Sequence, residues 1–268
     1  MDVDESVTRR ILAIESATDT LSVALLEDER LVEHHRSRAR MQHAATLLPA
    51  IDATLRAAGL GLREVDALAI STGPGSFTSL RIGLATLKGL AFRREVEAVG
   101  VSTLEAMAIG AFEGTGTNPG AEVEVATLLD ARRGEWYAGS YRPGPASSAL
   151  LAPAVPEGLY SPDRFAAALA ESCANRVLRL ACAPSEDIDR ALSKRGFDPL
   201  AARSDIAFEP DAEWVGRLGA RRLAAGEGMP AGELTARYLR RAEAEAKRLG
   251  GPVESGAHAD LGSPDDRA

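Results

Sequence analysis

At 268 residues the chain has room for one large domain or two small ones with an ample core. Its net charge of −8 argues against electrostatic attraction to bare nucleic acid or an anionic membrane, though a partner in a complex could supply the basic surface. Cys173 and Cys182 make neither a disulfide framework nor a zinc site, no run of about twenty apolar residues offers a membrane span, and the acidic start MDVDESVTRR lacks a signal-peptide pattern, so a cytoplasmic protein is expected.

Residues 1–9 read as a disordered leader. The apolar run 11–14 is a buried strand, 21–26 a second and 31–36 a third after a charged hairpin turn. Between the first two lies Glu15-Ser16-Ala17-Thr18-Asp19-Thr20. An acid and hydroxyls between two strands can cradle phosphate, the carboxylate holding a metal or water and the hydroxyls holding oxygens; six residues alone fit a polar hairpin loop better. Residues 41–58 read as a helix with Ala44, Leu48, Ile51, Leu55 and Ala58 on one stripe, kinked or begun near Pro49 and ended by Gly59-Leu60-Gly61.

A strand over 65–72 leads into the stretch STGPGSFTSLRIGLATLKGLAF, residues 71–92. Gly73-Pro74-Gly75 is a tight turn, and Ser76 and Thr78 offer hydroxyls where a helix begins. Strand, glycine turn and capped helix can aim N–H groups at an anion; the glycines serve positive φ and the close approach of a ligand or of another backbone. The stretch is neither a Walker A loop nor GxGxxG. Along its helix Leu80, Leu84, Leu87 and Ala91 form one stripe and Ser79, Gly83, Thr86 and Leu90 a second, so the helix suits either a fully buried position or a sheet on one side and another subunit's helix on the other.

A strand at 96–101 precedes Ser102-Thr103-Leu104-Glu105, a capping box opening a helix to about 111, and the glycine-rich loop 114–120 is the best domain boundary. Strand 123–129, the turn Asp130-Ala131-Arg132-Arg133-Gly134-Glu135 and strand 136–141 repeat the opening logic, which hints at internal duplication. Residues 142–156 read as irregular, 161–170, 187–195 and 213–225 as helices and 177–182 as a strand. Residues 234–249 begin extended and turn into a charged helix, and 250–268 form a disordered tail. The lobes are drawn at 10–112 and 113–233.

Chemistry is sparse. His34, His35, His43 and His258 show no metal-binding spacing, and no Gly-x-Ser-x-Gly elbow occurs. Glu15, Asp19 and Asp130 are acids at strand ends without a demonstrable pair. Arg36, Arg38 and Arg40, Arg132 and Arg133, and Arg237, Arg240 and Arg241 read as solvated basic faces, and the cysteines as small buried apolar residues.

Taken together the chain resembles the TsaB (also YeaZ) family. Ile11-Leu12-Ala13-Ile14-Glu15-Ser16-Ala17-Thr18 and Ser22-Val23-Ala24-Leu25 match its opening, and Gly73-Pro74-Gly75-Ser76-Phe77-Thr78-Ser79-Leu80-Arg81-Ile82-Gly83 its most specific motif. Gly100-Val101-Ser102-Thr103-Leu104, Asp130-Ala131-Arg132-Arg133-Gly134-Glu135-Trp136-Tyr137 and Tyr238-Leu239-Arg240 extend the match over about 10–245. The resemblance implies an α/β actin-like/hsp70-like (ASKHA) fold of two duplicated lobes, with mixed sheets flanked by helices. It implies a non-catalytic dimerisation subunit of the complex that places threonylcarbamoyl on N6 of adenosine 37 in tRNAs reading ANN codons. A TsaD-like paralogue with a His-x-x-x-His metal pair, absent here, performs the transfer; a TsaE-like ATPase joins, the chain alone forms a homodimer, and tRNA is met only through the complex.

The implied contact surface lies on the first two helices of the N-terminal lobe, here 43–58 and 78–92: Ala44, Leu47, Leu48, Ile51, Leu55, Leu80, Gly83, Leu84, Thr86, Leu87 and Leu90. No cofactor or metal is required, and weak ATP or ADP binding would fall to a vestigial site of Glu15, Ser16, Thr18, Gly73, Pro74, Gly75 and Ser76. The alternative is a nucleotide-dependent small-molecule kinase on the same fold; a peptidase finds no supporting residues.

Overall fold

The computed structural model describes residues 8–38, 42–113, 122–144, 151–203 and 209–240. The first apolar run becomes β1 (Arg10–Glu15), buried from its second residue onward because both of its faces are covered. It pairs antiparallel with β2 (Thr20–Glu27), which pairs with β3 (Arg30–Arg38). On its other side it pairs parallel with β4 (Ala67–Ser71), and β5 (Glu97–Val101) lies beyond. Period-two alternation sorts the side chains: Leu12, Ile14, Leu68 and Ile70 share a core with α1 (His43–Ala57) and α2 (Phe77–Ala91), whereas Ile11, Ala13, Ala67 and Ala69 face the opposite way. Pro49 lies on the exposed side of α1, and Gly59, at φ 71, ends that helix in a Schellman turn in which Leu60 N–H donates to Leu55 O at 2.9 Å.

α3 (Thr103–Glu113) is buried along its length up to Phe112. Ala106 and Ile109 join the first sheet's core, while Leu104, Met107, Ala108 and Phe112 pack on Val123, Val125 and Tyr141 of the second sheet. That sheet comprises β6 (Val123–Asp130), β7 (Trp136–Pro143), β8 (Leu151–Tyr160) and β9 (Val177–Ala181), in the order β8-β7-β6-β9. Its other face carries α4 (Pro162–Ser172), α5 (Glu186–Ser193) and the short α6 (Pro199–Ala202) over Phe165, Leu169, Ile188 and Leu192.

The duplication is explicit in the topology. Each half is a three-stranded meander, then a helix, then a strand returning parallel to the first strand of its sheet: β1-β2-β3-α1-β4 and β6-β7-β8-α4-β9. Two such lobes with mixed sheets are the expected actin-like arrangement.

Two expectations need correction. The second lobe does not extend to residue 233: α7 (Ala212–Ala224), β10 (Met229–Pro230) and the turn Ala231–Glu233 return to the first sheet, β10 pairing with β5 at its edge. The reason is the apolar stripe Val215, Leu218 and Leu223, which covers Ile11, Ala69 and Val99. The stretch 142–156 is not irregular where it is described, since β7 continues to Pro143 and β8 starts at Leu151. Pro153 and Pro156 are tolerated because β8 is an edge strand with a partner on one side only. Residues 234–240 carry no helix, in keeping with a segment that begins extended; 241–249, where the charged helix is expected, lie outside the described residues, as do 1–7, the loop 114–120 and the tail 250–268. Among the described residues no helix is long and apolar enough to cross a membrane.

Candidate functional site

β1 and β4 run parallel as neighbours, so the loops leaving them, 15–20 and 72–76, meet at one end of the sheet. They meet tightly. Ser76 N–H donates to Ala17 O at 2.7 Å, and Ser16 Oγ donates to Ser79 O at 3.2 Å. A Cβ on Gly75 would sit 2.4 Å from Ala17 O, and one on Gly83 2.3 Å from Ser16 Oγ. Gly73, at φ 111 and followed by a cis peptide to Pro74, accepts from Thr103 N–H at 2.9 Å, and a Cβ there would lie 2.8 Å from Arg237 O. The glycines here serve the close approach of the chain's own loops, and at Gly73 a positive φ as well.

The remaining members of the candidate anion site fit the same picture. Glu15 and Ser16 are fully buried, Gly73 and Pro74 are buried, Thr18 and Gly75 are half-buried and Ser76 is exposed. Thr18 Oγ1 accepts from Thr20 N–H at 3.2 Å, and Ser76 Oγ caps α2 through Ser79 N–H at 3.4 Å. Glu15 Oε1 accepts from Ala17 N–H, while Oε2 has no hydrogen-bond partner. Burial pushes this carboxyl up to about 7, with the charge of Asp211 adding to the rise. Among the described residues no group of three His, Cys, Asp or Glu side chains is placed to hold a metal ion.

The second lobe's equivalent turn has a different character. Arg132, Arg133 and Gly134 are all left-handed, at φ 67, 59 and 74. Ala131 N–H donates to Glu135 O at 3.0 Å, and Arg132 N–H donates to Asp130 Oδ1 at 2.7 Å. What the turn offers outward is a carbonyl and a carboxylate, and Arg240 takes both: Nη1 donates to Ala131 O at 2.5 Å and Nη2 to Glu135 Oε2. The guanidinium of Arg240 is thus largely shielded, not part of a solvated basic face. Sequence reasoning missed this role; the aromatic Tyr238 in that basic run is the signal that sets it apart.

The interface residues divide sharply. Leu47, Ile51, Leu55, Leu80, Leu84 and Leu87 are between 0% and 7% exposed, packed in the chain's own first-lobe core or, for Leu80, against Gly73; Gly83 is closed against Ser16. They cannot meet another chain directly, because their stripe is the one that covers the sheet. Ala44 is exposed, Leu48 is 54% exposed, and Thr86 and Leu90 are half-exposed. Ala45, Ala85 and Phe92, the last 75% exposed, are outward residues of these helices that the spacing did not single out.

The model of the family described as TsaD, tRNA N6-adenosine threonylcarbamoyltransferase, matches residues 35–216. The chain belongs to this family. It is 41% identical over 133 residues, 50% of its length, to the tRNA threonylcarbamoyladenosine biosynthesis protein TsaB of Escherichia coli (strain K12). It is 29% identical over 247 residues to the TsaB of Bacillus subtilis (strain 168), covering 88% of this chain and 96% of that one. The chain spans about half the length of the E. coli and Haemophilus influenzae relatives it matches, 55% and 51%. The solved structure of YeaZ from Pseudomonas aeruginosa superposes with a TM-score of 0.67 at 29% identity, over 86% of this chain and 100% of that one. Within the TsaD family the chain stands with the TsaB (YeaZ) proteins, and its fold is theirs.

Proposed function

We propose that the chain is a non-catalytic dimerisation subunit in the synthesis of N6-threonylcarbamoyladenosine at adenosine 37 of tRNAs reading ANN codons. Its partners in this reading are a TsaD-like paralogue, which performs the transfer, and a TsaE-like ATPase; alone, it pairs with itself. It works in the cytoplasm, meets tRNA only through the complex and requires no cofactor.

The observation that carries the reading is the inward use of the glycine turn. The motif most specific to the family directs its glycines and the Ser76 N–H at Ala17, Thr103 and Arg237 of the same chain. A phosphate cradle, as a kinase would need, would require those groups free. The helix that the turn launches then becomes the functional element. Its outward side, with Ala85, Thr86 and Leu90, and that of α1, with Ala44 and Leu48, form the contact surface in this reading.

The test is complementation of cells lacking their own TsaB, read by nucleoside mass spectrometry. Restored threonylcarbamoyladenosine is expected. No restoration when the chain is supplied with its cognate TsaD-like partner overturns the reading. Calorimetry with MgATP is expected to give no binding heat to the isolated chain.

A further inference from the structure

Residues 234–240 touch both lobes: Leu234, Ala236 and Tyr238 contact the first, Arg237 and, after a bend at 239–240, Arg240 the second. Leu234 is buried in the first-lobe core, and Arg237 N–H donates to Thr72 O at 2.8 Å beside the glycine turn. The Tyr238 ring lies 4.8 Å from that of Phe77, and its hydroxyl accepts from Arg81 Nε at 3.1 Å. The Arg81 guanidinium in turn covers the Phe77 ring at 3.7 Å. These contacts hold the segment to the first lobe. Arg237 and Arg240 reach into the second. Arg237 Nη1 donates to Glu157 Oε2 at 2.6 Å, and Glu157 Oε1 accepts from Tyr141 OH at 2.6 Å. Arg240 closes on Ala131 O and Glu135.

We propose that residues 234–240 form a latch that fixes the angle between the two lobes. α3, packed on both sheets, is the hinge about which they open, and the segment ties the glycine turn of one lobe to the acidic turn of the other. The outward carbonyl and carboxylate of the second turn are complementary to a planar cation with two parallel N–H groups, which Arg240 supplies. Arg240 and Glu135 are 13% and 26% exposed, so the pair is shielded from solvent more than an ordinary surface ion pair. Losing it frees the segment from the second lobe's turn, and the loosened segment then lifts from Thr72 and Phe77.

Hydrogen exchange by mass spectrometry on the full chain tests this. Arg240→Ala and, from the other side, Glu135→Gln are compared with wild type. In both variants peptides over 130–137 and peptides over 72–78 are expected to exchange about tenfold faster, while β1 and β6 stay protected. Arg240→Lys, with one contact in place of two, should fall between. The first-lobe peptides decide the matter, since neither Glu135 nor the Arg240 side chain touches that lobe. Faster exchange confined to 130–137, or no change at all, overturns the latch. Should Arg240→Ala lose protection in β1 and β6, Glu135→Gln decides by the same criterion.

Discussion

The β1–β2 turn of the first lobe and the β6–β7 turn of the second hold equivalent places in a duplicated topology, yet they are closed by opposite means. The first is closed by backbone: Ser76 N–H on Ala17 O, with Gly75 and Gly83 lacking a Cβ so that the loop can lie against them. The second is closed by one side chain, Arg240, laid across the Ala131 carbonyl and the Glu135 carboxylate. Backbone closure is part of the lobe's own packing, and opening it means separating Ala17 from Gly75 and Ser76. Side-chain closure can be undone by rotating a few torsions. One framework has thus produced a permanent joint and a releasable one.

The largest expected effect tests the core beneath the permanent joint. Leu87→Glu puts a carboxylate at a fully buried position and should cost more than about 4 kcal/mol, seen as loss of the cooperative transition in circular dichroism. Next comes Glu15→Gln, which keeps the acceptor for Ala17 N–H and removes the titrating proton. The folded chain holds the Glu15 proton more tightly than the unfolded chain, so the protein loses stability as pH rises from 4.5 to about 7 and stays at the lower level above that. A shift of that size corresponds to roughly 3 kcal/mol. Urea unfolding should therefore show the variant more stable than wild type at pH 8 and equal to it near pH 4; a pH-independent difference would mean that Glu15 is not the group responsible.

Smaller effects separate the two turns directly. Gly75→Ala drives a methyl against the Ala17 carbonyl and should cost about 2–3 kcal/mol. Gly134→Ala, where φ is 74 but nothing lies within 4 Å, should cost only about 1 kcal/mol. Equal losses at the two sites would dissolve the distinction. Smallest in stability is Leu48→Asp, within about 0.5 kcal/mol because the side chain is 54% exposed. Gel filtration of that variant should nevertheless show loss of self-association with the helical signal intact.

How much of this the sequence discloses depends on the kind of interaction. The run 11–14 is readable as a central strand because burial on both faces requires continuous apolar residues. The N-cap at Ser76 is readable from a hydroxyl ahead of an apolar period. The stripe of Leu80, Leu84 and Leu87 is equally clear, but an apolar period says that a face is covered and not by what; here the chain's own core covers it. The same ambiguity hides the return of α7, whose stripe fits either sheet until the topology assigns one. Arg240 is hardest to read, since a guanidinium bound to a carbonyl 109 residues away leaves no local pattern.

The return of α7 also sets an order on synthesis. The face formed by Ile11, Ala13, Ala69 and Val101 is made early, but the helix that covers it is encoded at Ala212–Ala224. A nascent chain therefore carries this apolar sheet face covered only in part, by Ala106 and Ile109 of α3, while the whole second lobe is translated. During that interval the open part of the face is the surface most exposed to misassociation, and it closes only when α7 emerges.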